Sequence, residues 1–99
     1  MKTLQFNLAA KIELIEAIDY FNQKVEGLGD RFSDSIGAAV RDIQNNPLAF
    51  PSVERVDCRS NILLDFPYVI YFQVKADEIR ITAIAHASRR PGYWLRRLR

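Results

Sequence analysis

The hydrophobic period of this 99-residue chain changes once, from about 3.6 to 2, and that change constrains its fold more than any other feature. In residues 9–26, Leu14, Ile18, Phe21 and Val25 recur at helical steps, while Glu13, Glu16, Asp19 and Lys24 take other directions. This predicts an amphipathic helix. Gly27-Leu28-Gly29 ends it, because glycine accepts the left-handed conformation at a helix terminus. Asp30 is placed to cap a second helix, whose stripe is Phe32, Ile36, Val40 and Ile43. Asn45-Asn46-Pro47 stops that helix, since the residue before proline avoids helical angles. With so short a connection, the two helices form a hairpin.

Residues 48–57 read as a loop, broken by Pro47 and Pro51. Beyond it the pattern alternates. Residues 58–64, 68–74 and 79–87 are expected strands, joined by Asp65-Phe66-Pro67 and by Lys75-Ala76-Asp77-Glu78. Residues 1–8 add a short N-terminal strand, with Leu4, Phe6 and Leu8 on one side. The expected architecture is α+β, in the order β-α-α-β-β-β. The helix hairpin packs on one face of a small antiparallel sheet, and the other face stays comparatively open. On the last strand Arg80, Thr82, Ile84 and His86 share a parity, which points His86 away from the helices.

Length and composition set the outer limits. Residues 1–99 make one domain, burying roughly two-thirds of the unfolded surface. No apolar run approaches the roughly 20 residues of a membrane span, and no signal peptide is visible. The single Cys58 excludes an internal disulfide; together these features point to a cytoplasmic protein. Net charge is only +2, but it is unevenly spread. Residues 1–50 carry five Lys/Arg against seven Asp/Glu, and residues 51–99 carry nine against five. From Ile79 onward there are six arginines and no acid, which suits an anionic partner or a solvated basic tail.

The chemistry-bearing residues gather at the C-terminus. The last fourteen residues hold the only His, His86, the only Trp, Trp94, and five arginines around a Pro91-Gly92 break. No metal site is expected, because one His and one Cys far apart cannot supply a zinc ligand set. No glycine-rich phosphate loop is present, and no cofactor is implied. A Cys58–His86 nucleophilic pair is conceivable, but a lone strand cysteine is more commonly a buried small hydrophobe. His86 with Arg59, Arg80, Arg89, Arg90 and Tyr93 is the one constellation able to move protons and hold a phosphate charge. The alternative reading makes His86 a strand-end residue with a structural hydrogen bond, the arginines partner contacts, and Trp94 a lid over the sheet edge. Arg96, Arg97 and Arg99 are expected in solvent.

The same residues resemble the RelE/ParE superfamily of bacterial toxins, on the ParE-like, plasmid-stabilisation side. The likeness covers nearly the whole chain. Its pieces are the N-terminal strand and helix hairpin, Arg59 through Phe66-Pro67-Tyr68-Val69-Ile70-Tyr71, and Ile79 to His86 leading into Arg89-Arg90-Pro91-Gly92-Tyr93-Trp94-Leu95-Arg96. The resemblance implies the toxin of a type II toxin–antitoxin system, neutralised by a cognate antitoxin. It also implies one of two activities: poisoning of DNA gyrase, or ribosome-dependent cleavage of mRNA. The middle strands supply only Arg59 and Lys75 as cations, a thin basic lining that favours the non-enzymatic gyrase reading. On that reading Arg59, Arg89, Arg90, Tyr93, Trp94 and Arg96 are expected to contact target or phosphate. On the nuclease reading His86 or Tyr93 is catalytic and Arg59, Arg89 and Arg90 hold phosphate, with the ribosome and mRNA as partners. A nonspecific nucleic-acid-binding module is the remaining alternative, marked by steep salt dependence.

Overall fold

The computed structural model describes residues 2–98. Its order is β1 (Thr3–Phe6), α1 (Leu8–Lys24), α2 (Leu28–Asn45), β2 (Arg59–Ile62), β3 (Tyr68–Val74) and β4 (Glu78–His86), with short 3-10 turns at Pro47–Ala49 and Leu95–Arg97. The expected sequence of elements is therefore present. Met1, included in the expected first strand, lies outside the described residues.

Local chemistry explains the helix ends. Asn7 caps α1 by accepting from the Ala9 N–H at 2.8 Å, which satisfies one of the four amides a helix start leaves unpaired. Lys24 sits in the last turn, where a cation complements the helix dipole. Gly27, at φ +83°, is the residue before α2, in a conformation that penalises any side chain with a Cβ. Asp30 lies within the first turn instead of capping it; Asn22 of α1 reaches over and accepts from the Gly29 N–H at 2.7 Å. Gly29 itself is more than punctuation. A Cβ there would meet the Ile18 carbonyl oxygen and the Asn22 side chain, so glycine lets the two helices approach closely.

Every member of the expected α2 stripe is buried: Phe32 and Ile43 at 0%, Ile36 at 3% and Val40 at 7% exposure. In α1 the deepest residues are Ala10 and Ala17, with Leu14, Ile18 and Phe21 partly buried against the same core. Val25 falls beyond the helix and is exposed. An edge-to-face cluster of Phe21, Phe32, Phe66 and Tyr68, with centroids 4.8–5.9 Å apart, joins the hairpin to the β2–β3 turn and to β3.

The sheet order is β1-β4-β3-β2. β2, β3 and β4 form the expected antiparallel meander, and β1 joins β4 in parallel, making the sheet mixed. A register shift changes the faces of β4. Phe72 pairs with Ile81 while Tyr71 pairs with Ala83, so Thr82 is an extra residue, a β-bulge. Simple alternation fails across it. Ile79, Ile81 and then Ile84 pack with the helices, whereas Ala83 belongs to a second cluster with Cys58 and Trp94. His86, aligned with Ile84 and opposite Tyr68, faces α1 and lines a recess with Glu16, Ala17 and Tyr20. The expectation that His86 points away from the helices is thus reversed, because a bulged strand does not keep its parity.

The second face is also covered. Val53 and Val56 from the loop before β2, with Trp94 and Leu98 from the C-terminal segment, close over Cys58, Tyr71 and Ala83.

Candidate functional site

Past His86 the chain makes tight turns that carry it off the sheet end and back over its face. The Arg89 N–H donates to the His86 carbonyl at 2.9 Å, Leu95 N–H to Gly92 at 3.0 Å, and Arg97 N–H to Trp94 at 2.9 Å. Gly92 has φ +83°, and a Cβ there would press on Leu95 Cδ1 at 3.1 Å. The break at Pro91-Gly92 is therefore the point at which the backbone reverses.

Trp94 is 2% exposed and lies on Tyr71 with centroids 4.5 Å apart. Its indole is part of the core, which matches the lid role; in this conformation it presents no face to a target. Arg97, expected in solvent, is turned inward. It bonds both carboxylate oxygens of Glu13, at 2.9 and 3.1 Å, and donates to the Thr82 carbonyl at 3.1 Å. The two side chains are only 19% and 13% exposed.

Glu13 is the centre of this arrangement. Besides Arg97 it accepts from the Tyr93 phenol at 2.6 Å and from the Ile84 N–H at 3.0 Å. Burial first, and then the bond and charge of Glu13, push the Tyr93 phenol well above its usual range. The hydrogen bond to the same carboxylate raises the Arg97 guanidinium further above its already high value. Tyr93 is accordingly a hydrogen-bond donor here, and a poor general base. The Arg89 guanidinium covers its ring at 3.9 Å from the centroid.

His86 is exposed, with its ring edge-on to Tyr68 at 5.2 Å. Its Nδ1 accepts from the Ser88 backbone N–H at 3.0 Å and lies 2.7 Å from the Ser88 hydroxyl. A backbone N–H can only donate, so Nδ1 is the acceptor in the contact with Ser88. The recess beside it, about 170 Å³, is lined by Glu13, Glu16, Tyr20, Tyr68 and Arg89.

The structure brings together only part of the expected constellation. His86, Arg89 and Tyr93 are neighbours. Arg59 is not: it pairs with Phe72 on β3, while His86 pairs with Tyr68, roughly 13 Å of strand away at about 3.3 Å per residue. Its guanidinium donates to the Phe50 carbonyl at 2.7 Å. Arg80 is bound to Glu78 at 2.7 Å. Arg90 and Arg96 are exposed on the segment. Cys58 is 3% exposed, its thiol pushed up to about 11 mainly by burial, and it packs on the sheet face opposite His86. A Cys58–His86 pair is therefore excluded by position. Among the described residues no group of three His, Cys, Asp or Glu side chains could hold a metal.

Glu13, which lies off the apolar stripe of α1 in the sequence, is instead partly buried at the centre of the site. A signal for it exists: it lies three residues after Ala10 and four before Ala17, on the face these two alanines bury. A carboxylate between inward-facing small residues needs donors, and the acid-free C-terminal segment supplies them.

The family described as "ParE toxin of type II toxin-antitoxin system, parDE" matches residues 4–91. Among solved structures, a chain from "Chromosomal ParDE TA system from P. aeruginosa" superposes with a TM-score of 0.76 at 21% identity, covering 87% of this chain and 96% of that one. No curated protein matches.

Proposed function

Because the chain belongs to the ParE toxin family of type II toxin–antitoxin systems, we propose that it is held inactive by a cognate antitoxin and, when released, arrests growth by inhibiting DNA gyrase. Gyrase acts on intracellular DNA, which places this activity in the cytoplasm. No helix among the described residues is long and apolar enough to cross a membrane. The observation that carries the choice of target is that only part of the constellation a nuclease would need comes together, and that its members are engaged elsewhere. Tyr93 gives its proton-bearing oxygen to Glu13, Arg59 lies at the far end of β3, and His86 spends Nδ1 on Ser88. Phosphodiester cleavage by a bound 2′-hydroxyl needs a base, an acid and a cation around one phosphate. A binding mode needs only a rigid, charged surface, and Arg89, Arg90 and Arg96 stand on such a surface, anchored beneath by Trp94.

The ribosome-dependent nuclease is the second reading. It draws on one specific observation, that His86 and Arg89 line the same recess. The two readings separate on His86→Ala. Under the gyrase reading the variant still arrests growth and leaves mRNA intact. Loss of arrest together with loss of A-site cleavage products, in a variant that remains folded, would instead establish the nuclease.

A further inference from the structure

β1 ends beside Ile81, and Asn7 makes the last strand-like bond by donating its N–H to the Ile81 carbonyl at 2.8 Å. Beyond that point β4 continues for five residues without β1 as its neighbour. In a parallel ladder the neighbouring residue donates to one carbonyl and accepts from the amide two residues further on. The two groups in that relation around Ala83 are the Thr82 carbonyl and the Ile84 N–H. Both are used here, by side chains: Arg97 donates to Thr82 at 3.1 Å and Glu13 accepts from Ile84 at 3.0 Å. The salt bridge between them closes the ring at 2.9 Å. The Glu13–Arg97 pair thus stands in for the missing residue of β1.

From this we infer that Glu13 is a positioning residue for the target-contact segment, an inference that rests on the reading of that segment as the toxic surface. Arg97 and Tyr93 flank the buried Trp94, and both end on the same carboxylate, that of Glu13 on α1. Arg89 is stacked on Tyr93 and Arg96 adjoins Arg97, so the directions of both exposed arginines follow from where Glu13 holds their neighbours. Removing the charge leaves a guanidinium that is 19% exposed without its counter-ion, and a partly buried charge in that state moves toward solvent. Arg97 would take the segment with it.

The test uses Glu13→Gln, which keeps an acceptor for the Ile84 N–H but removes the charge, together with Arg97→Gln and the double variant. Trp94 is the chain's only tryptophan and lies within the segment, so its emission reports docking directly. Well below the melting temperature, with far-UV circular dichroism unchanged, Glu13→Gln should shift Trp94 emission to longer wavelength. It should also raise the toxin concentration for half-inhibition by about tenfold or more. The double variant should be little worse than either single one, because the two residues act as a unit. A lowered melting temperature with unchanged emission and unchanged potency would overturn the inference, leaving Glu13 a merely structural residue. So would additive losses in the double variant. If the wild-type chain leaves gyrase untouched, the gyrase reading falls; the positioning inference is then decided by Trp94 emission and by potency in growth arrest.

Discussion

Tyr93 shows how a side chain suited to chemistry becomes committed to structure. Its phenol donates to a carboxylate at 2.6 Å, and a hydrogen bond to a charged group contributes about 1.5–3 kcal/mol. Tyr93→Phe retains the ring under Arg89 and loses the phenol's bond to Glu13 together with its contact to Arg97. Glu13 keeps Arg97 and the Ile84 amide, so the cost should fall near the lower limit, about 1–2 kcal/mol by urea unfolding. No loss at all would mean that the phenol is equally well solvated in the folded chain. Cys58 gives a pH-dependent counterpart. Folding raises its thiol from 9.0 to about 11, so the folded chain holds that proton more tightly than the unfolded chain. The associated stability, about 2–3 kcal/mol, is complete below pH 9.0, declines as the unfolded thiol ionises, and is lost once pH rises through about 11. Cys58→Ala should flatten the alkaline limb of the stability curve relative to the wild type. The native thiol should also react with iodoacetamide at pH 8 far more slowly than the unfolded one.

At the scale of elements, periodicity carried the reading where the backbone stays regular. The α2 stripe was legible residue by residue, because an unbroken helix keeps its phase through Phe32, Ile36, Val40 and Ile43. β4 was not, because Thr82 adds one residue and exchanges the faces of everything after it. No local composition marks that bulge; it shows only in the pairing of β4 with β3. The C-terminal segment was legible as the place of interest, but the burial of Arg97 and Trp94 depends on contacts with Glu13 and Tyr71, which are distant in sequence. Gly29 belongs to this scale as well. Read from sequence it ends a helix, yet in the fold it is the contact point of α1 and α2. Gly→Ala at an open helical site gains about 1 kcal/mol. Gly29→Ala should instead lose about 1–3 kcal/mol, because its methyl group meets the Ile18 carbonyl oxygen. A variant at least as stable as the wild type would show that the hairpin can open without cost.

For the whole molecule, the arrangement divides labour between two ends of the sequence. The helix hairpin and the meander bury the core. The positively charged tail after the last strand is then pinned to that core from both sides, by Glu13 on α1 and by the Trp94 stack on Tyr71. The result is a basic surface carrying Arg89, Arg90 and Arg96, with His86 and Arg89 lining a recess beside it. Such a surface suits capture of a large charged target, and its role in gyrase inhibition is the central claim. The direct measurement is a supercoiling assay with purified gyrase and relaxed plasmid, titrated with purified chain and scored for both supercoiled product and cleaved DNA. Supercoiling should fall and cleaved complexes accumulate, with both effects weakened by Arg89→Ala/Arg90→Ala. Undiminished supercoiling at micromolar concentrations of a chain that arrests growth would contradict the claim.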